Sequence, residues 1–218
     1  EALKQAQAKD EVVLQKDHTG NITIAEWIKL NLNKHKIEGN VDVDLSKKQD
    51  DETDAEKKVE IVDGTITGAT ESGVTIKDAG DTNVLLKDLT IEKNKGKQGG
   101  GVHIENSQNV TIDHCTIQNN KTTEVSPNTS ASVDIGAGGG VFVSDKSHVT
   151  IQNGSTIQGN TGTRGGGIYT EHSTVEVKDS KIDRNTADDV PKKAPNSNKG
   201  LGGGIYSYES TLTVTDST

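Results

Sequence analysis

The stretch Gly99-Gly100-Gly101-Val102-His103-Ile104, followed by Asn109-Val110-Thr111-Ile112 and then Thr116-Ile117-Gln118-Asn119-Asn120, decides the fold. Its three short runs alternate apolar and polar residues, as half-buried strands do, and turn residues separate them. The same order returns as Gly138-Gly139-Gly140-Val141-Phe142-Val143, His148-Val149-Thr150-Ile151 and Thr156-Ile157-Gln158-Gly159-Asn160. Gly165-Gly166-Gly167-Ile168-Tyr169 leads to Thr174-Val175-Glu176-Val177 and Lys181-Ile182-Asp183-Arg184-Asn185, and Gly202-Gly203-Gly204-Ile205-Tyr206 leads to Leu212-Thr213-Val214. A weaker copy precedes them in Gly73-Val74-Thr75-Ile76, Asn83-Val84-Leu85-Leu86 and Thr90-Ile91-Glu92-Lys93-Asn94. Successive glycine triplets start 39, 27 and 37 residues apart, with the excess confined to residues 121–137 and 186–201, which read as loop insertions at one corner.

One such unit is too thin to bury anything alone, so neighbours must stack to close a core. The expected fold is all-β: a right-handed parallel β-helix of three sheets, in coils of roughly 22 to 27 residues. Val102, Ile104, Val110, Ile112 and Ile117 then point inward, each over its counterpart about 4.8 Å away in the next coil. His103 and Thr111 point outward. The asparagine three residues after the isoleucine recurs at Asn94, Asn120, Asn160 and Asn185, where a carboxamide satisfies its stacked copies and the turn backbone, so these four are expected to form a structural ladder. The glycines suit a corner needing positive φ or no Cβ.

Composition agrees with a thin core shared by many strands. Hydrophobic residues make up 29% of the 218-residue chain and aromatics 2%. Leu, Ile, Val and Phe total 47, just above the roughly one-fifth level below which charged chains are usually disordered; their clustering in β-branched runs argues for order. A net charge of −9 without a basic cluster argues against nucleic acid as a partner. No 18-residue apolar run exists, so direct membrane insertion by this segment is not expected. Cys115, the single cysteine, falls in the strand pattern and reads as a small core residue. No metal site and no cofactor site is expected.

The whole of residues 1–218 reads as one β-helix segment, with an N-terminal cap and irregular first coils over 1–58, regular coils over 59–218, and an end inside a repeat. Residues 1–9 predict a short amphipathic helix laid over the first coil, sealed by Leu3 and Trp27. Residues 46–58, rich in charge, predict a solvated loop or hairpin tip.

The pairing of Gly-Gly-Gly-(Val/Ile) with Ile-x-x-Asn over residues 73–207 resembles the repeats of chlamydial polymorphic membrane proteins, with Ile91, Ile117, Ile157 and Ile182 standing where that family has Phe. The N-terminal order of helix, Val12-Val13-Leu14 and Ile37-Glu38-Gly39 resembles the entry into pectin-lyase-like β-helices, and Val110-Thr111-Ile112-Asp113-His114-Cys115 is similar to a segment of plant pectate lyases. These resemblances imply a β-helix and a bacterial cell-surface or secreted adhesin; fold alone implies no activity.

A lyase of this fold needs clustered carboxylates for calcium and a basic residue beside them. Arg164 precedes a glycine corner and Arg184 lies inside the Ile-x-x-Asn turn, and neither has such a cluster in equivalent positions. Asp42 and Asp44 alternate outward, with Asp63 expected nearby, which is a weak pattern for a hydrolase. No catalytic residue is assigned and an enzyme is not expected. His103, Phe142, Tyr169 and Tyr206 occupy one outward position in successive coils, with Tyr208 two residues on. An exposed aromatic row is the expected ligand-binding face, for a host or cell-surface glycan or protein; packing beneath residues 121–137 or 186–201 is the structural alternative. The expected function is thus an extracellular adhesin segment, possible self-association included. The rivals are a polysaccharide lyase or hydrolase and an inert stalk.

Overall fold

The computed structural model describes residues 2–47, 57–123, 136–188 and 200–218, and over them the chain winds as a β-helix. Each ladder between its named strands is parallel. Long strands such as Val74–Glu92 and Val102–Asp113 bend round corners and so serve more than one sheet. The columns follow the sequence pattern. In the first sheet Val41, Val74, Val102, Val141, Ile168 and Ile205 lie in register. In the second Leu30, Ile61, Leu86, Ile112, Ile151 and Val177 do so. In the third the column is Ile37, Ile66, Ile91, Ile117, Ile157 and Ile182. All of these are buried except Ile182 and Ile205, which are partly buried against the same core. Each fully buried Val or Ile contributes roughly 1.5–3 kcal/mol, so many coils together build a core that no single coil could.

Coil length varies in the N-terminal region: Glu11 pairs with Lys29 and Ile22 with Val41, 18 and 19 residues on, while Lys29 pairs with Glu60 and Val41 with Val74, 31 and 33 residues on, in the same ladders that continue to the end. The helix spans only Ala2–Gln5. Leu3 and Trp27 pack on the core as expected, joined by Ala6 and Ala8; Trp27 is buried, and its indole N–H points at Thr82 Oγ1 at 3.4 Å. Within the charged stretch 46–58, residues 48–56 lie outside the described residues, while Lys57 is buried with its ammonium 3.4 Å from Asp81.

Three polar ladders hold the corners. Asn120 Oδ1 accepts from the backbone and side-chain nitrogens of Asn94, Asn160 Oδ1 accepts from those of Asn120, and Asn185 Oδ1 from those of Asn160. A second ladder runs through Ser107, Ser147, Ser173 and Ser210, the hydroxyls of Ser147, Ser173 and Ser210 each accepting from the backbone N–H of the preceding coil's serine and that of Ser107 from the Ala79 N–H. A third contains Cys115, whose N–H donates to Ser155 Oγ at 3.1 Å, and Ser180, whose N–H donates to Ser217 Oγ. The corners themselves turn on left-handed residues: Asn106, Lys146, His172 and Glu209 at one, Asp63, Asp88, His114, Asn153, Asp179 and Asp216 at another, all with φ between 44° and 67°. Asn and Asp tolerate this region best. In the glycine triplets the first residue has positive φ, +59° at Gly99, and a Cβ on the second, Gly100, would come within 2.6 Å of the Gly139 carbonyl one coil on. The coils stack too closely there for any side chain.

Candidate functional site: an aromatic column and a corner cleft

His103, Phe142, Tyr169 and Tyr206 are paired in register on the outer face of the first sheet. Their ring centroids lie 5.0, 5.2 and 5.4 Å apart along the column; His103 is tilted 57° to Phe142, while Phe142, Tyr169 and Tyr206 stack with almost parallel planes. The expectation that this row is exposed is corrected. Phe142 is 2% exposed, Tyr169 0% and His103 8%, while Tyr206 is half-buried.

What covers them is a pleat on the outside of the coil. After each ladder asparagine the chain runs outward in a two-residue strand, Lys95–Gly96, Lys121–Thr122, Thr161–Gly162 or Thr186–Ala187, and these four form a small parallel sheet of their own. It then returns through Ala137, Arg164 and Leu201, which bridge one another in parallel immediately before the glycine triplets. Ala137 is wholly buried with Phe142 and Tyr169 in a second hydrophobic cluster, against which Tyr206 packs. Arg164 places its guanidinium carbon 5.8 Å from the Tyr206 ring. The described ends of the insertions 121–137 and 186–201 thus belong to the pleat; residues 124–135 and 189–199 lie outside the described residues. The column is a minor core between sheet and pleat, and a ligand cannot lie flat on it.

Tyr208 differs. It is 46% exposed and meets the His172 ring edge-on at 5.8 Å, and its phenol pKa is raised, first by a hydrogen bond to Glu209. His172 lines a cleft of about 920 Å³ at the corner between the first and second sheets, with Asn109, Lys146, His148, Thr174 and Glu209 among its walls. The cleft runs along the stacking direction: His148, Thr174 and Thr211 stand in one register column, and Lys146, His172 and Glu209 stand on left-handed corners. His172 Nδ1 lies 3.2 Å from Glu209, and the Lys146 N–H donates to the His172 carbonyl at 2.9 Å. Ser147, Ser173 and Ser210 form the cleft floor and are the second ladder, so the wall residues are spaced by the fold itself. Sequence reasoning did not find this cleft, although the left-handed corner residues and the recurring serine mark it.

The remaining chemical candidates disperse. Asp42 and Asp44 line a small outer recess with Lys77, but Asp63 stands at a different corner, ion-paired to Lys34; the expected Asp42–Asp44–Asp63 group does not assemble. Asp113 accepts from Gln152 and Asn153 one coil on, at 2.8 and 2.6 Å, and His114 Nδ1 lies 2.7 Å from Asp88. Arg184 donates to Gln158 and pairs with Asp183. Burial pushes the Cys115 thiol up to about 12, which leaves it protonated and unreactive. Among the described residues no group of three or more His, Cys, Asp and Glu side chains converges as a metal ion requires, and no helix is long and apolar enough to cross a membrane.

The family described as "Right handed beta helix region" matches residues 49–218. No curated protein and no solved structure matches the chain.

Proposed function

The chain belongs to the right-handed β-helix family, and from that premise we propose that it serves as a recognition rod: an extracellular bacterial adhesin segment that binds a glycan chain along the corner cleft without turning it over. The observation that carries this reading is the cleft itself, a trough of about 920 Å³ that follows the axis across successive coils and is walled by polar side chains on fixed corners. A preformed concave site with convergent polar groups is where a ligand is expected. Tyr208 supplies a flat apolar face at its edge, the feature on which sugar rings stack. The resemblance of the glycine-triplet and Ile-x-x-Asn repeats to chlamydial surface proteins supports the cell-surface setting.

The chain purified and screened against glycans and extracellular-matrix proteins is expected to show saturable binding with no cleaved product. His172→Ala and Tyr208→Ala are each expected to weaken binding roughly tenfold, about 1.4 kcal/mol. Released oligosaccharides would instead identify a lyase or hydrolase. Absence of binding to every ligand would leave an inert stalk.

A further inference from the structure

The cleft walled by Lys146, His172 and Glu209 continues past Asn109. Gln108, which lines it there, also lines a second recess of about 480 Å³, with the buried Trp27, Ala79 and Thr82 at its base and the exposed Ser46, Asp78 and Asp81 at its rim. Both lie at the turn from the first sheet to the second. The strand positions ahead of that turn stay in register through six coils: Val43, Ile76, Ile104, Val143, Thr170 and Ser207. Two hydrogen bonds tie the coil of Asp78 and Asp81 to that of Gln108, from Asn106 Nδ2 to Asp78 Oδ1 at 2.7 Å and from Asn109 Nδ2 to the Asp81 carbonyl at 2.8 Å. From Gln108 to Glu209 the cleft crosses three coil spacings, about 14 Å; from Ser46 the two depressions together cross five, about 24 Å.

We propose that the two depressions form one binding track and that its ligand is a neutral, linear glycan lying along the axis across all six coils, an inference that rests on the glycan-binding reading above. Charge selects the class. Among the described residues, Asp81 has the Lys57 ammonium 3.4 Å away and Glu209 has His172 Nδ1 3.2 Å away, while Asp78 at one end is set against Lys146 at the other. The lining thus offers a polyanion no surplus of positive charge. The recess also shares Ser46 and Asp78 with the smaller one in which Asp42 and Asp44 stand beside Lys77. With −9 on the chain as a whole, a polyuronate or a sulfated glycan is repelled from that half. A neutral sugar chain meets what the walls do supply: the carboxylates of Asp78 and Asp81 as acceptors for its hydroxyls, and Gln108, Lys146 and Thr174 as donors to its oxygens.

Cello-, chito- and malto-oligosaccharides from dimer to octamer, titrated into the purified chain, test this through the amide NMR shifts they move. The longer members of a binding series are expected to shift Gly80 and Asp81 as well as Ser173 and Ser210, and to bind about tenfold tighter than members too short to pass Gln108. Asp78→Asn keeps a residue suited to the left-handed corner, where φ is 50°, and keeps an acceptor for Asn106. It is expected to weaken the longer members about fivefold, because hydroxyls bind a carboxylate roughly twice as strongly as an amide, and to leave the short members unchanged. Polygalacturonate and heparin are expected to bind more weakly than the neutral octamer. Affinity that stops rising once the cleft from Gln108 to Glu209 is filled, shifts confined to that cleft, an Asp78→Asn variant without effect, or tighter binding of either polyanion overturns the inference and leaves the glycan-binding cleft standing. Silence of all three series overturns it as well, and the glycan and matrix screen then decides separately whether the broader reading survives.

Discussion

Asn120 Oδ1 accepts two hydrogen bonds from Asn94 in the preceding coil, from its backbone N–H at 3.0 Å and its side-chain N–H at 3.1 Å. The Nδ2 of Asn120 in turn donates to the Ile91 carbonyl and to Asn160 Oδ1. One carboxamide therefore satisfies buried polar groups of both neighbouring coils. Asn120→Ala leaves those groups without partners, and an unsatisfied buried donor or acceptor costs about 1–3 kcal/mol. Urea denaturation is expected to show a loss of about 2–4 kcal/mol; a loss under 1 kcal/mol would mean that the ladder contributes little.

Phe142→Ala tests whether the aromatic column is a minor core. Phe142 is almost wholly buried between His103, Tyr169 and Ala137, and Phe→Ala at such sites costs about 3–5 kcal/mol. Tyr208→Ala, at the exposed position, is expected to change stability by less than about 0.5 kcal/mol. Similar effects of the two substitutions would restore the picture of an exposed row.

Cys115 shares its position with Ser155, Ser180 and Ser217 in later coils. Cys115→Ser is therefore expected to fold normally. In the native chain the thiol, held at about 12 by burial, is expected to resist iodoacetamide at pH 8 and to react once urea unfolds it; rapid labelling of the folded protein would contradict its place in the ladder.

Gly100→Ala is expected to be more damaging than its size suggests, because the new methyl carbon would sit 2.6 Å from the Gly139 carbonyl and 2.8 Å from the Lys121 backbone. Neither contact ends in a flexible side chain, so the coils must separate locally. Circular dichroism melting is expected to show a clear drop in Tm; an unchanged Tm would show that the corner yields.

How much of this could be read from the residues depended on how far each signal repeats. The period of Val102, Val141 and Ile168, and of Ile117, Ile157 and Ile182, was legible because inward positions recur in register, and Asn94, Asn120, Asn160 and Asn185 were legible for the same reason. The burial of Phe142 and Tyr169 was not. Alternation shows which residues face away from the coil's own interior, but not that Ala137 and Arg164 fold back over them. The strands of the pleat are only two residues long, too short for any periodicity. Ser107, Ser147, Ser173 and Ser210 did recur, yet serine beside a turn reads as ordinary loop chemistry until the coils are stacked. The early coils lacked the glycine triplet, and their spacing, 18 and 19 residues in the first turn and 31 and 33 in the next, offered no single period to read. The corner cleft was hidden because its walls, Lys146 and His148, His172, and Glu209, come from three repeats and meet only in space.

The stacking of coils is tested most directly by methyl–methyl NOEs in a selectively labelled sample. Ile117 is expected to show cross-peaks to both Ile91 and Ile157, its register partners 26 and 40 residues away, at the spacing of neighbouring strands, about 4.8 Å. Strong Ile117 contacts confined to residues near it in sequence, with neither partner visible, would contradict the solenoid.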